Sequence, residues 1–417
     1  MLTLALAIFP AAARATTYYV DSRVGDDRNA GTTPSTAWRS LAHLGRVRFA
    51  PGDSILFARG ASWTGGVAID GSGTAERPIV IGSYGSGDAP SFTNPDWGEL
   101  NGNIFRIEGS HVVIQGLYFH DNTDPPTDDN RHHDVQKMGA VYLGLRADSD
   151  VVRDCEFVHT PVAIKVKGRH DLITRNYMHD APHAMQRTWG PIAIMVVSAD
   201  NEISYNRITN YGYYGGAYGS DGGAIELDGV DDAFDGRNVR IHHNVSIGNH
   251  GFLELAGKVT DSITVAYNLS DDVDKFIGGG AMKHTVVVHN TVIRTREPNV
   301  DRWIFWTFYP ESTSFVVDDD IFVVPRDIQV FPRTPRPAGH RRTGIGDPEH
   351  SRNVYFSAGG SADPVGVPLG EGDIIADPRF VDLAHGDYRL RPDSPAKGRG
   401  APIEQLPALT RAGASSP

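Results

Sequence analysis

The chain has a single cysteine, Cys155, in 417 residues. That excludes an intramolecular disulfide and a thiolate cage for a metal, and leaves redox chemistry without an obvious seat. Positive charge is scarce as well: 39 Lys and Arg stand against 51 Asp and Glu, a formal net charge of -12. A protein that coats nucleic acid or anionic bilayers carries the opposite excess, so neither partner is expected. No stretch reaches the ~18 apolar residues that a membrane helix requires. Turn formers, by contrast, are plentiful. With 46 Gly and 26 Pro a helix bundle is disfavoured, while the content stays below that of low-complexity chains. Residues 1–15, MLTLALAIFPAAARA, form a short apolar run ending in Ala13-Arg14-Ala15. They read as a cleavable signal peptide without the usual basic start, the alternative being a buried first strand. A secreted or periplasmic, soluble, monomeric protein is the expectation.

Self-similarity dominates the middle of the chain. Ile173-Thr174-Arg175-Asn176, Ile203-Ser204-Tyr205-Asn206, Ile241-His242-His243-Asn244, Val265-Ala266-Tyr267-Asn268 and Val287-Val288-His289-Asn290 share one pattern, and Val317-Asp318-Asp319-Asp320 repeats it with Asp in the last place. Further alternating stretches follow the same rhythm at Ala163–Lys167, Ala193–Val197, Ala224–Asp228, Phe252–Ala256 and Trp303–Thr307. Each repeat thus holds two or three short strands and no helix, and buries its inward side chains only against its neighbours. An all-β, single-domain, right-handed parallel β-helix fits this spacing, with inward Asn side chains bonding from coil to coil. A sandwich or a propeller is the competing reading; a propeller would show four strands per repeat at more regular spacing.

At both ends the chain resembles secreted, pectate-lyase-like β-helix proteins. Near the start the resemblance lies in Tyr18-Tyr19-Val20-Asp21-Ser22, Gly25-Asp26-Asp27, Trp38-Arg39-Ser40-Leu41 and Pro51-Gly52-Asp53-Ser54-Ile55-Leu56-Phe57; near the finish in Asp377-Pro378-Arg379-Phe380-Val381 and Gly386-Asp387-Tyr388-Arg389-Leu390. It implies a cap and first coils over 16–110, central coils over 111–325 and closing coils over 351–405. Residues 326–350, with four Pro and five Arg, lack periodicity and read as a long loop, either a lid or a disordered excursion; 406–417 reads as a disordered tail.

Alignment of the repeats puts Lys165, Met195, Glu226 and Glu254 in one outward column and Lys167, Val197, Asp228 and Ala256 in the next. Ile225 and Leu227 then point inward, so Glu226, Asp228 and Glu254 face solvent together. Like charges one strand apart repel unless offset. The choice lies between a divalent cation, with Ca²⁺ suited to ligands gathered from successive coils, and surface Lys or Arg partners. Phe252-Leu253-Glu254-Leu255-Ala256-Gly257-Lys258 resembles the Glu-then-Lys element of the alginate- and chondroitin-type polysaccharide lyase family 6. The resemblance implies Glu254 as a Ca²⁺ ligand beside Glu226 and Asp228, and Lys258 as the base of a β-elimination on an anionic, uronate-containing polysaccharide. The spacing is one residue shorter than that group's, and the expected arginine partner is missing. Tyr214, Tyr218 and His250 are the proton-donor candidates, and Lys165, Lys167, Arg169 and Asp221 the substrate-binding ones. Three alternatives stay open: a glycoside hydrolase drawing its acid and base from Asp221, Glu226, Asp228 and Glu254; a C5-epimerase; and a non-catalytic polysaccharide-binding solenoid.

Overall fold

The computed structural model of the chain describes residues 14–409 apart from 127, 130–131, 182–188, 215–219, 229–233, 297–303, 310–313, 333–336, 339–340, 343–344 and 346. Three long parallel sheets run its length, of 12, 12 and 11 strands. They are called A, B and C here, in the order in which the chain enters them within a coil. The coil Leu172–Thr174 (A), Tyr177–Ala181 (B) and Ile192–Val196 (C) is typical: each strand pairs with its counterpart one turn later, not with its neighbour in sequence. This pairing is that of a right-handed parallel β-helix and excludes the sandwich and the propeller.

The Ile-x-x-Asn pattern has two halves with separate physical jobs. Ile173, Ile203, Ile241, Val265, Val287 and Val317 are all fully buried in the central core. The residue before each Asn turns the corner from sheet A to sheet B in left-handed backbone, with φ of 55° at Arg175, Tyr205 and His243, and of 58° at Tyr267. Such a conformation costs a non-glycine residue about 1 kcal/mol or more. The Asn that follows offsets it. Asn206 donates its backbone N–H to Asn244 Oδ1 at 2.9 Å and its side-chain amide to Ile173 O at 2.9 Å. Asn176, Asn244 and Asn268 repeat these bonds up the stack. Asp320 and Asn353 continue the ladder, and Asp373 closes it by accepting the Asn353 N–H at 2.8 Å. A second ladder, through Asp150, Asp171 and Asn201, supports the bend from C back to A. Inside, Phe57, Phe92, Phe105, Phe119 and Phe157 fill the early coils, with successive ring centroids 4.8–5.6 Å apart.

Two features depart from the sequence reading. The described part of 326–350 is neither a lid nor an excursion: Ile328, Val330 and Phe331 are buried, and Phe331 stacks on Phe305 at 5.6 Å. The stretch therefore covers the core where sheet C ends at Phe305–Thr307, while sheets A and B go on through Asp347–Ser351 and Val354–Ser357. The closing residues from Phe380 do not extend the stack either. Phe380, Tyr388 and Ala396 pack on the outer face of sheet B against Val245, Leu269, Ile293 and Ile321, joined by Leu406 and Leu409. Residues 1–13 and 410–417 lie outside the described residues. No helix among the described residues is long and apolar enough to cross a membrane.

Candidate active site on the outer wall of sheet C

The register predicted from the repeats is the one found. Lys165 pairs with Met195, Met195 with Glu226 and Glu226 with Glu254, while Ile225 and Leu227 point into the core. The predicted exposure is not found. Glu226 is 2% exposed and Asp228 1%, because a segment outside the repeats, Asp134–Lys137, covers this wall. Gln136, itself fully buried, donates its amide to Asp228 Oδ2 at 2.5 Å and accepts from Lys165 Nζ at 2.5 Å. Lys165, in contact with Met195 Sδ at 2.7 Å, is wholly buried and cannot reach a substrate. Lys167 is also covered and lies over the Tyr142 ring. Arg169 is tied to Asp200 at 2.7 Å on the bend beyond.

The offset for the carboxylates comes from a lysine that the sequence reading missed. Lys275 Nζ lies 2.9 Å from Glu254 Oε2, with the lysine side chain 4% and the glutamate side chain 22% exposed. Lys275 reaches Glu254 by passing over Gly251, where a Cβ would come within 2.9 Å of its Cγ. Its stem is buried, which opposes the charge, but the carboxylates of Glu254 and Asp274 outweigh that and hold the ammonium strongly protonated. Lys275 and Gln136 carry no periodic signal, since both come from turns between strands. The acid-rich run Asp271-Asp272-Val273-Asp274-Lys275 is the one local hint.

Asp221 completes the group, at the end of a hairpin in which Tyr213–Tyr214 pairs with Ser220–Asp221. Burial, then Glu254, push its carboxyl up to about 7, against the pull of Lys275. Glu226 is driven well above the usual carboxylate range by burial and by Asp228, Glu254 and Asp221, in that order. Its carboxyl makes no hydrogen bond among the described residues. Acids of one site are thus set at different points of titration.

His250 is not a surface proton donor. It is 1% exposed, with Nδ1 3.2 Å from the Gly222 carbonyl and Nε2 3.3 Å from Asp274 Oδ2. It ties the turn that carries Asp221 to the turn that carries Lys275. Lys258 falls in Leu253–Asp261 where the register slips between Leu255 and Val259. Its side chain and that of Tyr214 lie outside the described residues, as do Tyr218 and His183. His159 and His179 bond Asp121 and Glu156 on the sheet B side, away from the group. The donor set does not fit Ca²⁺: Gln136 occupies Asp228 and Lys275 occupies Glu254, and among the described residues no three His, Cys, Asp or Glu are grouped to hold a metal ion.

Two coils beyond Glu254 the wall carries an aromatic. Glu254 pairs with Gly278 and Gly278 with Trp306. The indole lies back over the glycine, its Nε1 2.1 Å from where a Cβ would stand. That Nε1 is buried and has no acceptor among the described residues.

No protein-family model matches the chain. It is 40% identical over 77 residues to a lacto-N-biosidase of Bifidobacterium longum, a stretch covering 18% of this chain and 5% of that protein. It is 36% identical over 64 residues to an alpha-1,3-galactosidase A of Akkermansia muciniphila, covering 15% of this chain and 11% of that protein. The chain therefore spans only a small part of the curated relatives it matches. Among solved structures, the pectate lyase Pel9A superimposes with a TM-score of 0.51 at 12% identity, over 92% of this chain and 91% of that one. The likeness is one of fold.

Proposed function

We propose that this protein is a glycoside hydrolase acting on neutral glycans, with Asp221 as the general acid and Glu254 as the carboxylate base or nucleophile. One observation carries the reading: Asp221, at about 7, holds a proton near neutral pH beside Glu254, which is ion-paired to Lys275 at 2.9 Å. Glycosidic cleavage requires two carboxyl groups, one to protonate the leaving oxygen and one to meet the developing positive charge. Glu226 behind them has its carboxyl driven upward by burial and by Asp228, which favours its neutral form. Trp306, half-buried on the same wall, offers the accessible part of its indole to a sugar ring. The two relatives matched over short stretches are named as a lacto-N-biosidase and an alpha-1,3-galactosidase, which supports the class and makes lacto-N-biosides and alpha-1,3-galactosides the first substrates to try.

Charge decides against β-elimination as the first choice. A uronate would find the ammonium of Lys275 already engaged by Glu254. Only a metal would make the wall attractive to it, and the donors are otherwise occupied. Residues 1–15 are read as an export signal, in keeping with an extracellular glycan.

The test is incubation with neutral oligosaccharides and with uronate polymers, with and without Ca²⁺, reading new reducing ends and the ultraviolet absorbance of unsaturated products. Reducing ends from neutral glycans, absent in Glu254→Gln, are expected. Unsaturated products that require Ca²⁺ would replace this reading with the family 6-type lyase.

A further inference from the structure

At the opposite end of the same wall a cleft of about 280 Å³ is lined by Arg48, Asp70, Ser72, Glu108 and Arg146. Its polar groups follow from the register. Arg48 pairs with Asp70, and Glu108 lies one residue past Ile107, the partner of Ile69. The three therefore form an outward column across successive coils. The floor is glycine: a Cβ on Gly109 would come within 1.7 Å of the Gly71 carbonyl oxygen, so the backbone itself keeps the cleft open.

The hydrogen-bonding capacity of the cleft is largely unspent. Arg106 takes up Glu108 through Nη2 at 2.8 Å and Nε at 2.9 Å. Arg146 stays 3.9 Å from the other Glu108 oxygen. Arg48 and Asp70 are exposed and make no side-chain hydrogen bond or ion pair among the described residues. An anion entering here meets Asp70 and Glu108, and a cation meets Arg48 and Arg146. A neutral polyhydroxylated ring satisfies both signs, because each hydroxyl can donate to a carboxylate and accept from a guanidinium.

We infer that this cleft is a second carbohydrate-binding site for a neutral sugar unit, separate from the carboxylate group. Five strand steps along sheet C divide Asp70 from Asp228, about 24 Å at the usual strand spacing. The roof formed by Gln136 lies between them. The inference shares with the proposed function a carbohydrate ligand, but not its catalytic residues. Its role would be to hold a long glycan or a polysaccharide surface while the carboxylate wall acts.

Affinity electrophoresis tests it, in gels containing galactan, xylan or polygalacturonate, with wild type, the Asp70→Ala/Arg146→Ala double variant and Glu254→Gln. Thermal melting checks that each is folded. Expected is retardation of wild type and Glu254→Gln by a neutral polysaccharide, with binding roughly tenfold or more weaker in the double variant, as the loss of charge-assisted bonds implies. Hydrolysis of small soluble substrates by the double variant should be unchanged. Equal retardation of all three proteins, no retardation of any, or retardation by polygalacturonate alone would overturn the site. If wild type cleaves nothing yet its retardation depends on Asp70 and Arg146, the catalytic reading fails and the cleft stands.

Discussion

Two polar columns run the length of this β-helix, and they deal with burial in opposite ways. At the bend from A to B, each ladder Asn spends its donors and acceptor on the coils above and below, as Asn244 does through its bonds to Asn206, Asn268 and Ile203. On the outer wall of sheet C, Asp221, Glu226, Asp228 and Glu254 crowd together, with Lys275 on Glu254, Gln136 on Asp228 and Lys165 acting on Glu226. A satisfied column stabilises the stack. A crowded, buried column of acids shifts protonation, and shifted protonation is useful for catalysis.

The sharpest way to separate the columns is to compare activity with stability. Glu254→Gln should lower kcat by about 10²–10⁴-fold, the usual worth of a positioned acid or base, with the melting temperature nearly unchanged. Comparable activity in the variant would remove Glu254 from the chemistry. Lys275→Met should do the reverse and destabilise by roughly 3–5 kcal/mol, because it strips the counter-ion from buried acids; urea titration measures it. Asn244→Ala breaks the satisfied column, orphaning its bonding partners in neighbouring coils, and should cost about 2–4 kcal/mol with no effect on the pH profile of the remaining activity.

Titration sharpens the contrast further. If Asp221 is the acid, activity should fall on the alkaline side with a midpoint near its value of about 7, and Asp221→Asn should abolish that limb. A pH-dependent effect is expected at a ladder position filled by an acid. Asp150 accepts the Val112 N–H, but burial, and next Asp171, raise its carboxyl to about 9. Since the folded value lies above the unfolded one, the contribution is fully present below about pH 4 and is lost as pH rises towards 9. Asp150→Asn should therefore raise the melting temperature at pH 8 and flatten its decline between pH 4 and 9; an unchanged slope would show that Asp150 does not titrate in that window.

The sequence made the coil, the ladder and the facing of the strands legible for a common reason: Ile-x-x-Asn and its following alternation are local and repeat, so a single register accounts for Lys165, Met195, Glu226 and Glu254 at once. The closing segment at Phe380 was misplaced because its apolar residues suit the side of sheet B as well as another coil. Burial was misjudged on the outer wall for a related reason. The cover over Lys165 and Asp228 comes from Gln136, 29 and 92 residues away respectively, and no period connects them.

Repetition alone therefore determined the parallel coil, its inward Asn and Asp supports, and which acids share one outward wall, since each coil must match the next to bury its core. The tertiary structure decided what those acids are. Gln136 and Lys275, brought in from non-repeating turns, partner Asp228 and Glu254, and burial drives the carboxyls of Glu226 and Asp221 upward.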